Sequence, residues 1–288
     1  MSKSHASLTQ DDTSDTVVTV ENVWDPTSFA QLNVPTGFSS TAPLFTAATI
    51  ATSPLQTLYL TEPGNTTAIS ASDLYQGQMG DCFLISSIGE IALEKPVAIS
   101  NMIKVNSNGT ETVTLYTASN GQLPGYSTSA FRPISINVTN VFPTYSVNNG
   151  KTQDVVGGVK EIWPQVLEKA YATLNGGYAN ISNGGSPVLA MEELTGQKAS
   201  FIAPASLTYA SLEKYISAGD MIVMDTSSAS KLPYNLVSDH AYMFEKVTGA
   251  NGAAMVTLLN PWGYDQPAAI PLSQLSKAFV EIDIGKVG

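Results

Sequence analysis

The spacing of apolar positions separates the 288-residue chain into three stretches. Residues 1–44 are polar and punctuated by Thr and Pro, with Asp11, Asp12 and Asp15 close together. That pattern predicts a mobile extension with a short strand near Val17–Trp24. Residues 45–196 mix two periods. Ile85, Ile88, Ile91 and Ala92 recur at three- and four-residue spacing, the apolar face of a buried or half-buried helix starting at Cys82. Alternating runs at 111–116 and 134–138 read as strands, split by Asn-Gly turns at Asn108-Gly109, Asn120-Gly121 and Asn149-Gly150. Residues 162–174 form an amphipathic helix in which Pro164 suits the first turn and Asn175-Gly176-Gly177 ends it, with Trp163 and Tyr171 as core. A further helix near 188–194 stops at Gly196. From residue 197 to 288 strands dominate. Runs at 221–224, 240–247 and 253–259 predict successive strands of one antiparallel sheet, followed by a short helix at 273–278 and a last strand at 279–284. The expected fold class is α+β: a helix-rich first lobe over 45–196 and an antiparallel-sheet second lobe over 197–288. No internal repeat has a solenoid period.

Composition narrows the function. An apolar content of 43% supports a packed core. One cysteine excludes an internal disulfide, and one Cys with two His is too few soft ligands for a structural zinc. A net charge of −11 argues against nucleic acid and anionic membranes as partners, while suiting oxygen-ligand cations. No apolar run reaches membrane-spanning length, and Met1–Ala6 lacks the apolar core of a secretory signal. With charged residues at only 13% the surface reads as that of a microbial secreted or effector-like protein, and the lack of a signal or membrane span leaves a cytoplasmic and a non-classically secreted location both open, with a monomer favoured.

The chemistry centres on Gln76-Gly77-Gln78-Met79-Gly80-Asp81-Cys82, a glycine-bent loop feeding a helix. A thiol in the first helical turn lies at the positive end of the macrodipole, which favours the thiolate. Alone, such a cysteine is most often core packing. It gains meaning from partners further along the chain. His5 falls in the extension, which leaves His240 as the candidate base. Asn260, held before Pro261-Trp262-Gly263, can orient the imidazole as in Cys-His-Asn triads, with Trp262 shielding the bond from water. Gln76 and the Cys82 backbone N–H can supply an oxyanion hole.

Residues 76–88, Trp163–Gly176, His240-Ala241-Tyr242 and Asn260-Pro261-Trp262-Gly263 together resemble the protease core of the calpains, in that family's order and from about residue 70 to the end of the chain. The resemblance implies a papain-like two-lobed fold acting on protein or peptide substrates: Cys82 as nucleophile, His240 as base, Asn260 as orienter and Gln76 as oxyanion donor. It also implies calcium in the first lobe, with Asp73 and Glu168 matching carboxylate ligands. After Asn260 the acids Asp265, Glu281 and Asp283 look scattered, so a second calcium site is not expected. Two positions depart from the family. Phe83 replaces the usual Trp, and Asp239 stands where Gly is common before the histidine. The expected activity is a cysteine endopeptidase. The alternatives are a thiol acyl-transfer or deamidating effector, or a non-catalytic module of the same shape.

Overall fold

Helix α1 (Cys82–Glu94) is buried on every side from Phe83 to Ala92, so its apolar stripe belongs to a core helix. The Asp81 carbonyl opens it by accepting the Leu84 and Ile85 N–H groups, and Lys95 closes it before Pro96 starts α2 (Pro96–Met102). The computed structural model describes residues 55–288 apart from 63, 65, 120–129 and 149–154, together with Val17–Val18. The expectations for 1–44, save that pair, and for Asn120-Gly121 and Asn149-Gly150 lie outside the described residues.

Around α1 stand two small sheets and three helices. Strands β3 (Ile103–Val105), β4 (Glu111–Ala118) and β5 (Phe131–Val138) run antiparallel, with β1 (Val17–Val18) alongside β5 in parallel. Strands β2 (Leu55–Thr57), β6 (Val155–Val156) and β7 (Val159–Glu161) form the second, in the order β2-β7-β6. Then come α3 (Trp163–Leu174), α4 (Tyr178–Ile181) and α5 (Pro187–Thr195). Pro164 sits in the first turn of α3, as its missing N–H allows, and Gly196 ends α5 at φ 68°.

The remaining chain builds a six-stranded antiparallel sheet. Its strands are β8 (Ser200–Ile202), β9 (Asp220–Thr226), β10 (Ala241–Thr248), β11 (Met255–Leu259), β12 (Ile270–Pro271) and β13 (Phe279–Lys286), in the order β12-β11-β10-β9-β13-β8. Helix α6 (Tyr209–Ala218) precedes β9, started by a reciprocal Thr208–Ser211 cap. Alternation along the strands divides two cores. Met221, Val223 and Ala241 pack with α1 and α5, whereas Ile222, Met224, Tyr242, Phe244, Ile282 and Ile284 face a second core with Leu212, Leu258 and Leu275. The sequence reading of three successive strands matches β9–β11. It missed α2, α6 and β8, and the last strand proves to be an inner one, between β9 and β8.

A polar stripe docks α1 on this sheet. Cys82, Ser86 and Glu90 recur every four residues and so share one helix face. Ser86 Oγ donates to the Ala241 carbonyl at 3.0 Å. The β9–β10 ladder ends at the Val223–Met243 pair, and there the Glu90 carboxyl enters between the strands. It accepts the Ile222 N–H at 2.9 Å and the Phe244 N–H at 2.6 Å. Truncating Glu90 leaves two buried donors unsatisfied, at about 1–3 kcal/mol each. Glu90→Ala is therefore expected to lose roughly 2–5 kcal/mol of stability, read from the urea midpoint. An unchanged midpoint would show that the clamp does not hold the sheet.

Candidate active site

The loop before α1 is tied from both sides. Gln78 N–H donates to the Tyr145 carbonyl at 2.9 Å, Gly80 N–H to the Ser182 carbonyl at 3.1 Å, and Gly184 N–H to the Gly80 carbonyl at 2.9 Å. Neither Gly77 nor Gly80 has positive φ. Their glycines answer to close approach instead: a Cβ on Gly77 would lie 2.2 Å from the Tyr145 oxygen, and one on Gly80 2.7 Å from the Ser182 oxygen. Beside this loop, Phe83 is buried edge-on to Tyr171, centroids 6.2 Å apart, and its ring occupies the space a Cβ on Gly185 would need.

Cys82 is partly exposed at the start of α1, and the Ala241 N–H faces its sulfur. His240 immediately precedes Ala241 and is buried. Its Nε2 lies 2.9 Å from Asn260 Oδ1, an oxygen that also accepts the Trp262 N–H at 3.1 Å. With Nε2 engaged there, Nδ1 is the nitrogen left for another partner. Asn260 is itself held, its N–H by Gln266 Oε1 at 2.8 Å and its Nδ2 by the Asp265 carbonyl at 3.2 Å. The Trp262 ring stacks at a tilt on the imidazole, centroids 4.8 Å apart, and Tyr242 meets it edge-on at 4.9 Å. Gln76 joins the cysteine loop to the Asn260 loop: its N–H donates to the Pro261 carbonyl at 2.8 Å, while its Nε2 donates to the Met79 carbonyl at 2.7 Å. Asp239 takes φ 50°, a left-handed conformation that Gly adopts freely and Asp tolerates.

The carboxylates gather differently from the sequence expectation. Asp73 lies with Glu62 and Glu161, one oxygen of each within 4.8 Å of the others. Glu168 does not join Asp73. It is fully buried, takes the Val147 N–H at 2.8 Å, and faces Asp81 and Tyr178. Glu161 is seven residues earlier in the chain, at the end of β7, and β7 rather than α3 supplies the acid next to Asp73. The signal for it was the acid directly before Ile162-Trp163. The second correction concerns Glu281 and Asp283. They are not scattered: both meet Asp225 within 4.8 Å, because β13 lies beside β9.

Burial dominates the electrostatics. The Cys82 thiol is pushed up to about 12 by desolvation, opposed by the Ala241 N–H and reinforced by Asp225 and Asp81. His240 is lowered to about 4, again by desolvation, with the Asn260 bond working against it. Both shifts favour the uncharged forms, against the thiolate expected from the helix terminus. Desolvation also raises Asp73 to about 6 and Asp81 and Asp225 to about 7, and lifts Glu90 and Glu168 well above their usual range. Groups raised in the folded state stabilise it fully below their unfolded values near 4, and that contribution is lost as pH rises through the folded values. His240 and Lys169, both lowered by desolvation, act in the opposite sense but are outnumbered by the raised carboxyls. In chelator, the thermal midpoint should be higher at pH 5 than at pH 8; the reverse order would contradict this balance.

The chain is similar to known proteins over the region that holds this site. Residues 60–269 match the family described as calpain family cysteine protease. The chain is 28% identical to human Calpain-9 over 209 residues, covering 67% of this chain and 28% of that protein. It is 28% identical to the Calpain-2 catalytic subunit of Gallus gallus over 210 residues, with the same two shares. To the calpain-type cysteine protease ADL1 of Oryza sativa subsp. japonica it is 25% identical over 230 residues, 74% of this chain and 10% of that protein. The chain thus spans less than a third of the length of these relatives. With a match over most of its length, and helices packed on antiparallel sheets around the cysteine loop, it belongs to the calpain family of cysteine proteases.

Proposed function

We propose that the protein is a papain-like, two-lobed cysteine endopeptidase, with 45–196 as the lobe of the nucleophile and 197–288 as the lobe of the base. The observation that carries this reading is the buried His240–Asn260 pair, 2.9 Å apart, preceding the residue whose N–H faces the Cys82 sulfur. Cys82 Sγ attacks the peptide carbonyl as His240 Nδ1 takes its proton, so the ion pair forms during attack and not before it. The proton passes to the leaving amine, and water then hydrolyses the thioester with His240 again as base. Asn260 Oδ1 fixes the tautomer with the proton on Nε2. The Cys82 N–H, free at the helix start, and the second Nε2 hydrogen of Gln76 receive the oxyanion.

Calcium fits the first lobe at Glu62, Asp73 and Glu161, three hard oxygen donors of the kind this ion selects. When bound it would neutralise the negative charge crowded there. The alternatives use the same thiol: a deamidase would attack a side-chain amide, release ammonia and end on water, whereas an acyl transferase would pass the acyl group to an acceptor other than water.

Incubation with unfolded casein should give fragments, and Cys82→Ala should give none. Gln76→Ala should lower kcat about 10²–10³-fold. A mass shift without chain cleavage would move the reading to the effector chemistry; cleavage surviving Cys82→Ala would end it. Calcium should raise the thermal midpoint of the Cys82→Ala protein. Asp73→Asn and Glu161→Gln should abolish that rise, whereas a rise retained in both removes the ion from this cluster.

A further inference from the structure

The mechanism leaves one cluster beside the thiol unused. Asp225 lies across the β9–β10 ladder from Ala241 and across the β9–β13 ladder from Glu281, while Asp283 pairs with Val223. All three acids therefore project from the sheet face that carries Val223 and Ala241, the face packed toward α1. Asp225 is near enough to act on the Cys82 thiol through its charge. One carboxyl oxygen of each acid lies within 4.8 Å of the other two. Asp283 is fully buried, and neither of its carboxyl oxygens accepts a hydrogen bond among the described residues. Asp225 and Glu281 are partly exposed. Neither the Lys246–Glu245 nor the Lys286–Asp220 ion pair involves these acids.

Such crowding calls for a cation. Burial and mutual repulsion push Asp225 up to about 7 and Asp283 up to about 10, so the cluster holds protons until a cation takes their place. A calcium ion would need six to eight oxygens, and Val223 and Ala241 on the same face offer only hydrocarbon. A lysine or arginine side chain suits both features, since its methylenes cover apolar surface while its head reaches the acids.

We propose that Asp225, Glu281 and Asp283 form a substrate subsite that receives a lysine or arginine side chain close to the scissile bond. The proposal rests on the endopeptidase reading and names the substrate class of that same site. The net charge of −11 would help draw basic segments to it.

The test is to digest unfolded casein, with calcium and with chelator, and map the cut bonds by mass spectrometry. One position at a fixed distance from the cut should be enriched in Lys and Arg. Matched peptides with Lys or Leu at that position should then differ in kcat/KM by about tenfold or more, the size of one desolvated charge pair. Glu281→Gln should shrink that ratio several-fold, and Glu281→Lys should shift the preference toward Asp or Glu. Because the ratio is taken within each variant, partial loss of folded protein does not alter it. Peptidyl electrophiles bearing Lys or Leu should label Cys82 with the same order of rates. Cleavage without a fixed basic position, or a preference unchanged in both variants, overturns the subsite alone. A calcium-dependent loss of the lysine preference assigns the cluster to the metal and overturns it too. Absence of both cleavage and Cys82 labelling overturns the endopeptidase reading beneath it.

Discussion

The seating of one buried helix on two strands governs the rest of the molecule. Cys82, Ser86 and Glu90 meet the sheet through backbone groups: the Ala241 N–H, the Ala241 carbonyl, and the Phe244 and Ile222 N–H groups. Hydrogen bonds have narrower geometry than apolar contact, so this stripe sets the register of α1 along β10. It also ties the first core to a sheet whose other face belongs to the second core. Since His240 enters β10 one residue before Ala241, the spacing between thiol and imidazole is inherited from that docking. A slip of α1 by one turn would carry the sulfur about 5.4 Å from its present neighbours.

The same burial sets the electrostatic character of the site. It favours the uncharged thiol and imidazole and keeps Asp81 and Glu168 face to face beneath the helix start. Asn260 and Trp262 keep the imidazole in position. Carboxylates recur around this centre as Asp81–Glu168, Glu62–Asp73–Glu161 and Asp225–Glu281–Asp283. A chain poor in basic residues has few internal partners for them, and protons or external cations must fill that role.

Much of the site was legible before any coordinates. The loop from Gln76 to Cys82, the histidine at the start of a strand, and the Asn before Pro-Trp-Gly each have a local signature, and periodicity located α1, α3, α5 and the strands β9 to β11. Short elements escaped because two or three residues carry no period, as in β8. Helix α6 was obscured by the strand-like runs around it, although its Thr208 and Ser211 form a cap recognisable in sequence. The glycines of the loop were identified correctly for a different reason: they serve backbone contacts from residues near 145 and 182, far along the chain.

Local sequence by itself determined the α+β class, the helix that presents the thiol, and the candidate residues Cys82, His240, Asn260 and Gln76, because period and turn chemistry act over a few neighbours. Tertiary structure decided which acids meet. Asp73 is joined by Glu161 and not by Glu168, and Asp225 is joined by Glu281 and Asp283, because strand order brings β13 next to β9 across more than fifty residues of chain. It also decided the direction in which burial shifts Cys82 and His240. Desolvation depends on everything packed around a group, and no pattern along the chain encodes that sum.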